Sequence, residues 1–138
     1  MPSSQKTAHL SLNSWSGADK PKMDDFNADN LKLDAAFHQL TPVCGSYVGD
    51  GKITRAVDLG FRPKICLVYT DFVPLLRMNP TLYTEVQIGF AILSEAGCSM
   101  GASLTDTGIS VRSGAGEYDY EAFFLNSSGQ TYYYIAFR

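Results

Sequence analysis

One change of rhythm constrains this chain more than any other feature. Between residues 23 and 40 the apolar side chains fall at Met23, Phe26, Leu33, Phe37 and Leu40, with Asn30 filling the series, so the steps are 3, 4, 3, 4 and 3. From about residue 43 the step becomes 2. Steps of three and four keep side chains on one face of an α-helix, and a step of two keeps them on one face of a strand. Pro42 stands at the change and disfavours helical backbone at Thr41. The expectation is a mainly β chain in two parts. Residues 1–42 form an extended segment and one helix, and residues 43–138 form an antiparallel β-sandwich head.

The helix is expected to begin with Asp24 as its N-cap, with Asp25 favouring the positive end of the first turn, and to run to about Leu40. Met23, Phe26, Asn30, Leu33, Phe37 and Leu40 follow the a/d pattern of a heptad repeat, in which Asn30 is the kind of polar interruption that fixes register. Two and a half heptads serve equally for a self-associating seam and for a lone amphipathic helix lying on the head. A helix this short is marginal alone, so a seam would need help from the head. Residues 1–20 read as irregular. Trp15, the only tryptophan, is expected to dock on the helix or on a neighbouring chain.

Candidate strands span residues 43–48, 53–59, 64–70, 85–93, 108–112, 118–125 and 131–137. The run Ile65, Cys66, Leu67, Val68, Tyr69 is apolar on both faces and is expected at the centre of a sheet. The turn 126–129 should join the last two strands as a hairpin. Two longer connections, 71–84 and 94–107, are the natural seats of binding on a β scaffold.

Chemistry narrows the function further. The net charge of −3 provides no basic field for nucleic acid. No apolar run is long enough to cross a bilayer, and the first seven residues lack a signal-peptide core. Three cysteines, Cys44, Cys66 and Cys98, without CxxC spacing argue against a disulfide framework and against zinc. The two histidines, His9 and His38, both precede the head, so a Ser or Cys nucleophile there would have no His base. No cofactor or metal motif is present, and an enzyme is not expected. Carboxylates at Asp71, Glu85, Glu95, Asp106, Glu117, Asp119 and Glu121 leave a small glycan-cleaving enzyme as one competing reading. The favoured alternative is a binding surface in which aromatic faces meet sugar rings and polar side chains meet hydroxyls. Arg77, Asn79 and Tyr83 in the first long connection are its candidates, joined by Asp106 and Tyr118.

The front of the chain also resembles a known group. Leu10-Ser11-Leu12-Asn13-Ser14-Trp15, then Asp19, then Asp25-Phe26-Asn27-Ala28-Asp29-Asn30 and Leu33-Asp34-Ala35-Ala36 are similar to a segment of tail-fibre proteins from phages and prophages of Gram-positive bacteria. The likeness covers about residues 8–40. In the head, Gly45-Ser46-Tyr47-Val48-Gly49-Asp50-Gly51, Arg55 and Asp58-Leu59-Gly60-Phe61-Arg62-Pro63-Lys64 resemble units repeated at fibre tips. The ending, Leu125-Asn126, Gly129 and the run 132–137, is similar to a closing hairpin of such tips. The resemblance implies a homotrimeric virion part of the tail that binds a host surface glycan or other receptor, with the front segment meeting other tail or baseplate proteins. With neither a signal-peptide core nor a spanning apolar run, synthesis in the bacterial cytoplasm and no membrane insertion are expected. One departure is that the helix meets the head directly, without the long shaft of typical fibres, which suggests a stub or tip. A purely structural baseplate part, binding only virion proteins, is the other competing reading.

Overall fold

The computed structural model describes residues 3–79, 81, 85–118 and 120–138. The chain is mainly β with one helix, and it divides into two compact units, Met1–Thr41 and Pro42–Arg138.

In the first unit, β1 (Gln5–Lys6) and β2 (Asn13–Ser14) pair antiparallel, so residues expected to be irregular make a small hairpin. The turn between them is closed by bonds from the Thr7 and Leu12 backbone amides, and Ser11 takes a left-handed φ of 52°. The helix α1 (Met23–Leu40) starts earlier than expected. Lys22, in extended backbone, takes the cap position assigned to Asp24. The reason is Asp25, whose carboxylate reaches back to accept from the Lys22 backbone N–H at 3.1 Å, the half of a capping box that needs an acceptor at the third helical position. At the other end Thr41 N and Oγ1 both donate to the Phe37 carbonyl, and Pro42 prevents continuation.

The hairpin is tied to α1 through residues spaced 4 and 3 apart. Asn13 donates its backbone N–H and Nδ2 to Asp29 Oδ2 at 2.8 and 2.9 Å, and Nδ2 also reaches the Asp25 carbonyl. Lys32 Nζ donates to the Ser11 carbonyl at 2.6 Å. Burial acts to raise the Asp29 carboxyl, but the two Asn13 bonds with Lys32 and Lys6 outweigh it and hold it below its ordinary range. Trp15 lies against Phe26 with ring centroids 5.7 Å apart.

The second unit holds β3 (Val43–Val48), β4 (Thr54–Asp58), β5 (Ile65–Thr70), β6 (Leu76–Met78), β7 (Val86–Ile88), β8 (Phe90–Ser94), β9 (Gly97–Cys98), β10 (Ala102–Leu104), β11 (Gly108–Ala115), β12 (Glu121–Phe124) and β13 (Thr131–Phe137). One sheet runs β10-β11-β12-β7-β6, with β4 also on β11, and the other runs β3-β13-β5-β8-β9. The run 65–69 is central in its sheet, as its apolar character required. Both long connections carry strands of their own, β6 in the first and β9 and β10 in the second.

Three expectations need correction. Residues 85–93 are two strands in different sheets, because the chain changes sheet at Gly89; a side chain there would stand 3.2 Å from Val73 Cγ2 and 3.3 Å from Thr70 Cγ2. The turn 126–129 makes no hairpin, since β12 belongs to the first sheet and β13 to the second. Pairing is not wholly antiparallel, because β7 and β12 run parallel.

One buried cluster draws on both sheets: Val57, Ile109 and Val111 from the first, and Cys66, Val68, Leu93 and Tyr132 among those from the second. Each fully buried aliphatic side chain contributes about 1.5–3 kcal/mol. Tyr132 stacks on Tyr47 at 5.1 Å, and both hydroxyls are bonded, Tyr47 Oη to the Leu125 carbonyl and Tyr132 Oη from the Ser127 amide. Burial raises the Tyr47 hydroxyl well above its usual range and pushes the Cys66 thiol up to about 11.

Candidate functional site

Among the described residues, three surfaces stand out as candidates for binding. The first is one end of the β6-β7-β12-β11 region. Because β7 and β12 run parallel, with Val86 opposite Glu121, the β6–β7 and β11–β12 connections emerge side by side. Val86 N donates to the Tyr120 carbonyl at 2.6 Å and ties them together. Tyr118 and Tyr120 stack there, centroids 5.4 Å apart and rings 10° from parallel, each about half exposed (50% and 51%). Hydrophobic packing alone would hide such rings, so half-exposed stacked faces are available to a planar or sugar-ring ligand. Arg77 forks onto Gln87 Oε1, its Nε at 2.9 Å and Nη2 at 2.7 Å. Asn79 Nδ2 donates to Glu85 Oε1 at 2.6 Å. Glu121 Oε2 is buried over Gly116 and has no hydrogen-bond partner among the described residues.

The structure therefore gathers three of the expected binding residues, Arg77, Asn79 and Tyr118, at one strand end. Tyr83 lies outside the described residues. Asp106 does not join them. It sits in the β10–β11 turn, fully exposed, 3.6 Å from Arg62 Nη1, at the opposite end of the eight-residue β11. At about 3.3 Å per residue, roughly 26 Å of strand lies between them along the chain. Sequence reading missed Tyr120 and Gln87, although the i, i+2 spacing of Tyr118 and Tyr120 was visible.

The second surface is the helix. None of the 18 residues of α1 is buried. Met23 (75%), Leu31 (72%), Leu40 (70%) and Phe37 (67%) are its most exposed large apolar residues, Leu31 lying off the stripe, while Phe26 is partly occupied by Trp15 and Leu33 is half-buried. Asn30 is exposed on the same stripe.

The third is the outer face of the β3-β13-β5-β8 sheet. Alternation along β5 buries Cys66, Val68 and Thr70 and turns Ile65, Leu67 and Tyr69 outward. Register places Ile135 and Ile92 on either side of Leu67, and Tyr133 and Phe90 on either side of Tyr69. Cys44 and Ser46 complete these rows on β3. No outward position on the four strands carries a charge. A groove of about 350 Å³ crosses the face, lined by Leu67, Tyr69, Leu75, Phe90, Ile92 and Ile135. It offers a sugar almost no hydrogen bonds, so burying hydroxyls there would cost more than it returned. At its margin Tyr133 stacks on Tyr69 and donates to Asp71 Oδ2 at 3.4 Å, and the Asp71 charge raises the Tyr133 hydroxyl.

Among the described residues no three His, Cys, Asp or Glu side chains gather as metal ligands, and no helix is long and apolar enough to cross a membrane. No protein-family model, curated protein or solved structure matches the chain.

Proposed function

We propose that the chain is a phage-tail-fibre-like virion protein of the tail: a homotrimeric tip that binds a host cell-surface ligand, a glycan. Residues 1–42 attach and trimerise, and residues 43–138 are the receptor-binding head, whose two sheets around one core we read as a β-sandwich. The observation that carries this reading is the helix. An isolated 18-residue helix is marginal in water, and α1 buries none of its residues while its apolar stripe keeps heptad spacing. Three such stripes meeting in a short coiled coil would cover it. The resemblance of residues 8–40 to fibre segments points the same way.

The strand end with Tyr118, Tyr120, Arg77 and Asn79 is the favoured ligand surface. Its aromatic faces and amide and guanidinium groups suit a sugar better than the uncharged sheet face does. Three shallow sites on one tip gain by avidity, so each can be weak. The reading needs no catalytic group, metal or cofactor.

The test is to incubate the full chain with Gram-positive cells and with their purified cell-wall glycans, measuring retention and released product. Retention that falls at least tenfold in Tyr118→Ala/Tyr120→Ala, with assembly unchanged, supports a receptor-binding tip. An assembled protein that retains on neither is a structural tail component. Release of soluble glycan fragments would make it an enzyme.

A further inference from the structure

We infer that the uncharged outer face of the β3-β13-β5-β8 sheet is covered by a second copy of this chain, with Cys44 inside the contact. The inference rests on the trimeric reading above and names the head surface that joins it.

Size argues for this occupant. Four strands at about 4.8 Å spacing and some five residues at about 3.3 Å make a patch of roughly 300 Å². That is as large as the apolar patches monomers normally tolerate, yet less than half of the roughly 800 Å² per partner in a stable specific interface. At that size the face matches the largest patch of a typical monomer, which is often a binding surface, and it is too small to capture a free partner tightly. It suits an occupant held nearby by a second contact, which raises its effective concentration. A copy of this chain associated through α1 is such an occupant.

Charge argues the same way. The outward strand residues Leu67, Ile92 and Ile135 are flanked by Tyr69, Tyr133 and Ser46 and carry no charge, and the Asp71 carboxylate bonded to Tyr133 stands at the margin. A partner must itself be uncharged and apolar at its centre, with hydrogen-bonding groups towards the margin. The same face on the other copies of a trimer, all turned towards the threefold axis, meets that description.

The three cysteines report on this without any substitution. Cys66 is buried in the core and registers unfolding. Cys98 is exposed on β9, opposite core-facing Leu93, and therefore lies off the outer face. Cys44 is exposed in the single chain and stands in the same row as Ile135 and Leu67. The experiment is timed iodoacetamide labelling of the native full chain, read peptide by peptide by mass spectrometry, with the solution mass measured on the same sample. The inference predicts an assembled mass, and Cys44 labelled at least tenfold more slowly than Cys98. In Ile92→Lys, whose side chain is half exposed and whose backbone N–H is held by Ser99 Oγ, Cys44 should accelerate to the Cys98 rate while Cys66 stays protected. An assembled protein in which Cys44 labels as fast as Cys98 overturns the inference and leaves the trimeric reading standing. A monomer overturns both: one with protected Cys44 would show the chain covering its own face, and one with fast Cys44 would show it open.

Discussion

Asn126 is the most demanding test of how the head is held together. It is fully buried, and its side chain satisfies three partners across the 49–52 loop: Nδ2 donates to Asp50 Oδ1 at 2.6 Å and to the Lys52 carbonyl at 2.9 Å, and Oδ1 accepts from the Asp50 amide at 3.1 Å. The loop is shaped to meet it, with Gly51 at φ +76° and its amide bonded to the Asn126 carbonyl at 3.0 Å. Asn126→Ala removes three bonds: the two neutral ones contribute about 1 kcal/mol each, the Asp50 amide and Lys52 carbonyl left short of partners cost about 1 kcal/mol more, and the third, to the Asp50 carboxylate, adds to this at neutral pH. The loss is at least about 3 kcal/mol, or roughly 12–24 °C in Tm for a unit of this size. Circular dichroism at fixed protein concentration measures it, while Trp15 fluorescence reports separately on the first unit. The effect should depend on pH. Hydrogen bonds from Asn126 and the Lys52 amide hold the Asp50 carboxyl below its ordinary range. A depressed carboxyl contributes stability above the unfolded value, about 4, and loses it as pH falls through the folded value. The gap between wild type and Asn126→Ala should therefore narrow in acid. A loss under about 1 kcal/mol at pH 7, or a gap that widens in acid, would mean that Asn126 does not hold the 49–52 loop.

Three further outcomes follow from the proposed assembly. Phe37→Ala should cost about 3 kcal/mol for each ring that the seam covers, seen as dissociation on dilution in light scattering; an unchanged assembly removes the seam. Asn30→Leu should strengthen association while relaxing its stoichiometry, because it replaces a buried polar register group with an apolar one; native mass spectrometry would show a mixture of assemblies. Tyr118→Ala/Tyr120→Ala should leave the melting temperature within about 3 °C, since exposed rings contribute little to stability, while weakening cell binding. A large loss of stability instead would assign the pair to folding.

Much of this was legible in the chain, for identifiable reasons. Period-two patterning located β3 and β13 to the residue, with Tyr47 of β3 and Tyr132 and Ala136 of β13 turned to the core. The helix end followed from Pro42. The sheet change at Gly89 was hidden, because residues 85–93 alternate without interruption and only the crowding of Val73 and Thr70 reveals the break. The supposed hairpin at 126–129 failed because turn residues fix a reversal without fixing which sheet the next strand joins. β6, β9 and β10 are too short, at two or three residues, for periodicity to register. The run 65–69 was the most informative of all. Being apolar on both faces, it was expected at the centre of a sheet, where β5 lies, and among the described residues its outward side chains Ile65, Leu67 and Tyr69 stay partly exposed. Of the binding residues, the sequence offered types and loops, but only the parallel β7–β12 pair brings Arg77, Asn79 and Tyr118 together and leaves Asp106 at the far end.

Light scattering on the full chain decides whether it is a trimer. A trimer gives about three times 15.1 kDa, persisting on dilution to micromolar protein. A mass of 15.1 kDa at high concentration would contradict it and leave the helix stripe and the uncharged sheet face without the partner that both are read as having.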